Sequence, residues 1–161
     1  MNTLWYEGPS GGESVPNPTA EEMVERMHRV SGYWGEYNPV GELHWYEHPP
    51  QATPTKAGLG GDAARQQLIF IRHPERGWYF EFSSRTPPPK RWLVPFDPVA
   101  ERDDYVRHWA SEEDQMFLAG CFVAQATAEQ VIRDFVATGE PSAAVLWVPF
   151  NDLSPRVDPD D

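Results

Sequence analysis

The sequence predicts an α+β fold: a single domain in which a twisted antiparallel sheet carries two main helices on one face. Three observations predict it. Two segments pair polar helix caps with apolar residues at helical spacing. Several short runs rich in aromatic and β-branched residues alternate in polarity, as strands do. In the middle of the chain these runs are joined by short loops without helical crossovers, which favours antiparallel pairing. The 161 residues fit one ordinary domain, and 40% hydrophobic with 24% charged residues is a globular balance. Seventeen prolines and twelve glycines predict many turns.

In chain order, Leu4-Trp5-Tyr6 opens an apolar segment, and a short loop leads to Thr19. Thr19 and Glu22 form a capping box, in which hydroxyl and carboxylate each satisfy a free amide of the first turn. Met23, Met27 and Val30 follow at helical spacing, and Gly32 closes the helix. Glu42 to Glu47 is a short strand candidate, followed by the Pro/Gly-rich insertion from Pro49 to Asp62. Leu68 to Arg72 and Trp78 to Phe82 flank His73-Pro74-Glu75-Arg76-Gly77 as a hairpin. Trp78, Phe80 and Phe82 define an apolar face, while Tyr79, Glu81 and Ser83 define a mixed one. After the connector Thr86 to Lys90 come strand candidates at Arg91 to Val94, Met116 to Val123 and Ala143 to Val148. Between the last two lies the second helix, with a box at Thr127 and Gln130 and a stripe of Val131, Ile132, Phe135 and Val136. Gly139 marks its stop and Pro141 stands just beyond. The domain is expected over residues 1–150, with Asn151 to Asp161 as a frayed acidic tail.

Charge narrows the function. Twenty-five acids against thirteen Lys and Arg leave −12, which opposes binding to nucleic acid or an anionic membrane. From Glu101 to Asp114 there are six acids and two arginines, so a third of the surplus sits in fourteen residues. Such a stretch is either a solvated face or a docking surface for a basic partner. With neither a secretory signal at the start nor a long apolar span, the expected location is cytoplasmic. The single cysteine, Cys121, supplies neither an internal disulfide nor a cysteine-rich zinc site.

Motifs for catalysis do not survive their context. His44-Trp45-Tyr46-Glu47-His48 spells the H-x-x-E-H pattern of zinc peptidases, whose chemistry needs both imidazoles on one helical face. Gly41 before it and Pro49-Pro50 after it favour a strand, on which the two histidines stand about 13 Å apart, too far to share zinc. Cys121 lies in the apolar run Leu118 to Val123, where a thiol is buried and inert. Gly58-Leu59-Gly60-Gly61 lacks the strand before it and the Lys-Ser or Lys-Thr after it that a phosphate cradle requires. No catalytic residue, metal ligand or cofactor site is therefore assigned. Aromatic residues remain: seven Trp, six Tyr and eight Phe. Tyr105 and Trp109, four apart within the acidic stretch, would share one side of a helical turn there. Trp5-Tyr6, Tyr33-Trp34 and Trp45-Tyr46 are further contact candidates.

Phe117 to Phe150 resembles the closing segment of immunity protein family one from bacterial polymorphic toxin systems. The resemblance is carried by a short strand, the helix from Thr127 to Phe135, Ala137-Thr138-Gly139-Glu140-Pro141, and a final strand holding Trp147. Leu4-Trp5-Tyr6, the entry Pro18-Thr19-Ala20-Glu21-Glu22-Met23 and the hairpin with Gly77-Trp78-Tyr79 are similar too, so the likeness spans nearly the whole chain. The Pro49–Gly61 insertion and the long acidic tail depart from the compact family pattern.

The resemblance implies a non-enzymatic antidote that binds the C-terminal domain of a cognate toxin, nucleic-acid deaminases being among the targets of relatives. Such an antidote needs an interface of roughly 1,600 Å² with aromatic anchors and a charged rim. Charge and aromaticity place toxin binding at Asp103, Asp104, Tyr105, Trp109, Glu112, Glu113 and Asp114. Neither nucleic acid nor membrane is an expected partner, and monomer and homodimer both stay open. The alternative is a small-ligand-binding or enzymatic α+β domain, with a sheet-face pocket lined by Trp78, Phe80, Phe82 and Trp92. A metal-binding protein using His44, Glu47 and His48 is a further rival.

Overall fold

The computed structural model describes residues 3–8, 14–33, 40–46, 64–85, 91–110 and 113–160. The expected insertion at 49–62 and connector at 86–90 lie outside them. The strands are β1 (Thr3–Glu7), β2 (Ser14–Pro16), β3 (Val40–Tyr46), β4 (Ala64–His73), β5 (Gly77–Ser84) and β6 (Arg91–Pro95). They continue with β7 (Tyr105–Ala110), β8 (Glu113–Leu118), β9 (Phe122–Val123), β10 (Trp147–Pro149) and β11 (Arg156–Val157). The helices are α1 (Ala20–Tyr33) and α2 (Gln125–Thr138). The α+β class is as the sequence predicts.

The strands form two antiparallel sheets. The larger runs β10-β6-β5-β4-β3-β1-β2, with β9 added against β5, and the smaller runs β11-β8-β7. Alternation along each strand sorts side chains to two faces, and here both faces of the large sheet are covered. Leu43, Leu68, Phe70, Trp78, Phe80 and Phe82 pack under Met23 and Met27 of α1 and Val131, Ile132 and Phe135 of α2. On the opposite face Ile71, Tyr79 and Val94 pack against Phe117 and Leu118 of the small sheet and against Cys121 and Leu153. Both helices thus lie on one face, as expected, while the mixed face of β5 is a second core.

Local chemistry explains the boundaries. The capping box of α1 is present: the Thr19 amide donates to Glu22 Oε2 at 2.7 Å and the Glu22 amide donates to Thr19 Oγ1 at 3.2 Å. Gly32 does not close α1, which runs to Tyr33. The box at Thr127 and Gln130 is not used, because the chain leaves β9 directly into a helix starting at Gln125, with Ala124 as an N-cap lacking a side-chain bond. Gln130 bonds Asp134 Oδ1 instead, one turn on. Gly139 does stop α2: its φ is +72°, its amide donates to the Phe135 carbonyl at 2.8 Å, and a side chain there would press on the Trp45 ring.

Three expectations are corrected. The apolar run Met116 to Val123 is not one strand: β8 ends at Leu118 and a 3-10 turn at Ala119–Cys121 carries the chain from the small sheet to β9 on the large one. Of Ala143 to Val148, only the end pairs, as β10 against β6. The tail from 151 is not frayed, for Leu153 and Pro155 are buried and β11 pairs with β8.

Candidate functional site

The acidic stretch is built as a β-hairpin rather than a helical turn. In its register Tyr105 of β7 stands opposite Leu118 of β8. Asp103 and Asp104 are exposed just before β7, and the Asp104 carbonyl accepts the Ala119 amide at 2.7 Å, tying the hairpin's entry to its exit. Tyr105 is half-buried and donates its hydroxyl to the Ser154 carbonyl at 2.9 Å. Its ring packs on the second core, so its role in the fold is structural. In β8, Asp114 takes a forked ion pair from Arg107 of β7, with Nε at 2.8 Å from Oδ2. That guanidinium holds the Asp114 carboxyl below the usual carboxylate range. In the register of the hairpin Trp109 pairs with Asp114 and Glu113 with Ala110. The side chains of Trp109 and Glu113, and all of Glu112, lie outside the described residues.

Beside the hairpin is a cleft of about 470 Å³ lined by Asp114, Gln115, Phe150, Arg156, Val157 and Asp158. Among the described residues, Asp114 is the one acid singled out from sequence that lines it. Behind it the carboxylate of Glu81, 4% exposed, accepts two hydrogen bonds and forms one ion pair. Arg156 Nε lies 2.7 Å from Oε1, the Tyr79 hydroxyl donates to Oε1 at 2.8 Å, and Trp92 Nε1 donates to Oε2 at 3.2 Å. Burial and this carboxylate push the Tyr79 hydroxyl's pKa up. Phe150 is stacked on Trp92 with ring centres 3.6 Å apart, and Arg156 lies over its ring at 5.7 Å. Arg156, Phe150 and Trp92 thus cluster beside one buried acid, to which Arg156 and Trp92 are both tied.

A second polar contact joins the sheets. His73, at the end of β4, accepts the Glu75 and Arg76 amides of its own turn on Nδ1, at 3.1 and 3.2 Å. His108 of β7 donates Nε2–H to the Arg72 carbonyl at 2.7 Å, and the two rings sit 4.7 Å apart. Burial lowers both imidazole pKa values, and for His108 the neighbouring His73 adds to it. Gly77 completes this turn with φ +95°, and a Cβ there would collide with the Val123 carbonyl of β9.

Other candidates are structural. Trp78, Phe80 and Phe82 are buried beneath the helices, and Trp92 faces the other side of the sheet, so the four do not line a common pocket. The alternative of a sheet-face pocket is thereby corrected: helix side chains fill that space. His44 is on strand β3, buried, with Nε2 3.0 Å from Glu42 Oε2, while Glu47 and His48 lie outside the described residues. Among the described residues no cluster of three His, Cys, Asp or Glu could hold a metal. Cys121 is buried, and burial with Glu81 nearby pushes its thiol up to about 12, away from nucleophilic use. Tyr6 and Tyr46 are buried, and Trp45 donates to the Phe135 carbonyl at 3.0 Å, which makes these aromatics core. Among the described residues, no helix is long and apolar enough to cross a membrane.

Sequence reasoning missed Glu81, Phe150, Arg156 and Asp158 as site residues and placed Trp92 in a different pocket. The one signal was Arg156, a single cation among the acids of the tail. No family model matches the chain, and no curated protein matches it.

Proposed function

We propose that this chain is a non-enzymatic immunity protein that binds and neutralises a cognate toxin domain through its small sheet. The observation that carries the proposal is the charge around that sheet. Exposed or half-exposed carboxylates stand at the ends of its strands: Asp103 and Asp104 before β7, Asp114 opening β8, and Asp158 and Asp160 after β11. Two of the nearby cations are already matched within the fold, Arg107 by Asp114 and Arg156 by Glu81. The face therefore keeps a negative field beside an aromatic stack. A toxin that acts on nucleic acid needs a positive cleft, and such a face can occupy it as a phosphate backbone would. The family resemblance supports the same role, with deaminases as one toxin class. The test is co-expression with the toxic C-terminal domain encoded beside this gene. Growth rescue and a stable one-to-one complex are expected; a neighbour equally lethal with and without this chain would refute the role.

A further inference from the structure

The cleft beside the hairpin has walls that are already fixed. Phe150 is stacked on Trp92 and lies against Arg156, and both of these are tied to buried Glu81. Such a wall needs no reordering when something enters, which removes one cost of association. The volume, about 470 Å³, is that of a site able to take a whole side chain. Charge decides what kind. Arg156 is balanced by Glu81 and Asp114 by Arg107. Asp158 accepts the Asp160 amide on Oδ1 at 3.0 Å, yet among the described residues no cation pairs with it. The unbalanced charge of the cleft is therefore negative, and it stands beside an aromatic and aliphatic wall of Phe150 and Val157.

Resting on the immunity role proposed above, we infer that this cleft receives one cationic side chain, arginine or lysine, of the toxin domain, with Asp158 as its counter-ion. The apolar stem lies along Phe150 and Val157 and the charged head reaches the Asp158 carboxylate. An anionic group is disfavoured, because Arg156 is already matched and two carboxylates line the mouth. The cleft thus differs from Asp103 and Asp104, which project from the surface and act through their field.

The experiment measures association and dissociation rates of the complex with the neighbouring toxin domain for the parent, Asp158→Asn and Asp158→Lys, at low and high salt. Thermal unfolding of each variant checks that β11 is still in place. A lodged cation predicts dissociation at least tenfold faster for Asp158→Lys, with a smaller increase for Asp158→Asn, persisting at high salt. Dissociation at the parent rate, with only association slowed, would overturn the inference and leave the immunity role standing. If the parent chain itself forms no complex, both fall.

Discussion

Replacing Glu81 by glutamine keeps its volume and removes its charge, so it isolates what the buried carboxylate does. In the parent, Oε1 takes the Tyr79 hydroxyl and Arg156 Nε, and Oε2 takes Trp92 Nε1. Glutamine offers one acceptor oxygen and one NH₂ group. If the oxygen stays with Tyr79 and Arg156, the NH₂ group meets the Trp92 N–H, donor against donor. Hydrogen bonds to charged groups contribute about 1.5–3 kcal/mol each. The Trp92 bond is lost, the Tyr79 bond loses its charge, and the Arg156 ion pair becomes a contact with a neutral oxygen. Arg156 is 36% exposed and regains some hydration, which holds the cost near the lower end of this sum. Glu81→Gln is therefore expected to destabilise by about 3 kcal/mol. For a chain of this size that lowers the melting temperature by about 6–12 °C. Chemical unfolding of Glu81→Leu, Arg156→Leu and the double variant then gives the coupling. The double variant should be more stable than Glu81→Leu alone, since neither charge is left without its partner. A Glu81→Gln protein melting within 2 °C of the parent, or strictly additive single changes, would refute this account of the buried acid.

Three other outcomes follow from the same geometry. Gly77→Ala forces a Cβ onto a residue at φ +95° and into the Val123 carbonyl, so it should cost at least about 2 kcal/mol in denaturant unfolding, with parent stability as the contrary result. His73 and His108 have folded pKa values below the ordinary 6.5, so as pH falls the unfolded chain takes up protons first. Stability should decline from about pH 7 through 6.5 toward the folded values and then level, and His73→Gln with His108→Gln should flatten that window. An unchanged slope in the double variant would assign the pH dependence elsewhere. Reversing charge at Asp103, Asp104, Glu112 and Asp114 together should slow association with the toxin domain about tenfold at low salt and weaken its salt dependence, as stopped-flow mixing would show. Association as fast as the parent's would make the hairpin a solvated face only.

What the sequence made legible was what neighbouring residues decide. The Thr19–Glu22 box and the stop at Gly139 depend on contacts within one helical turn, and both stand in the structure. The hairpin at Gly77 was visible because a positive φ demands glycine, although β4 and β5 extend further into the turn than expected. What stayed hidden is decided by partners distant in the chain. Glu81 reads as the outward residue of an alternating strand, and only the small sheet and β11 turn that face into a core. Likewise Arg156 meets Glu81 across seventy-five positions, and nothing local in the tail announces the strand that delivers it. The site followed the same division: sequence charge marked the stretch from Glu101 to Asp114 but not its hairpin, and among the described residues Asp114 is the one of its acids on the cleft.

The way the hairpin is rooted bears on how this protein can change. The Asp97 amide donates to the Gly120 carbonyl at 2.9 Å, and the Ala119 amide to the Asp104 carbonyl at 2.7 Å. The chain leaving β6 and the chain returning to β9 are thus clasped together at a neck, and β7 with β8 is an excursion beyond it. Lengthening such an excursion costs little closure entropy once its base is fixed. Pairing with β11 at Phe117 and Met116, with Phe117 and Leu118 packed in the second core, fixes the near half of β8. The second core draws on Tyr105, Val106, Phe117 and Leu118 at the base of the hairpin, so substitutions farther out leave its packing in place. Under the immunity role proposed above, that outer part is what a lineage can rewrite for a new toxin while keeping the scaffold.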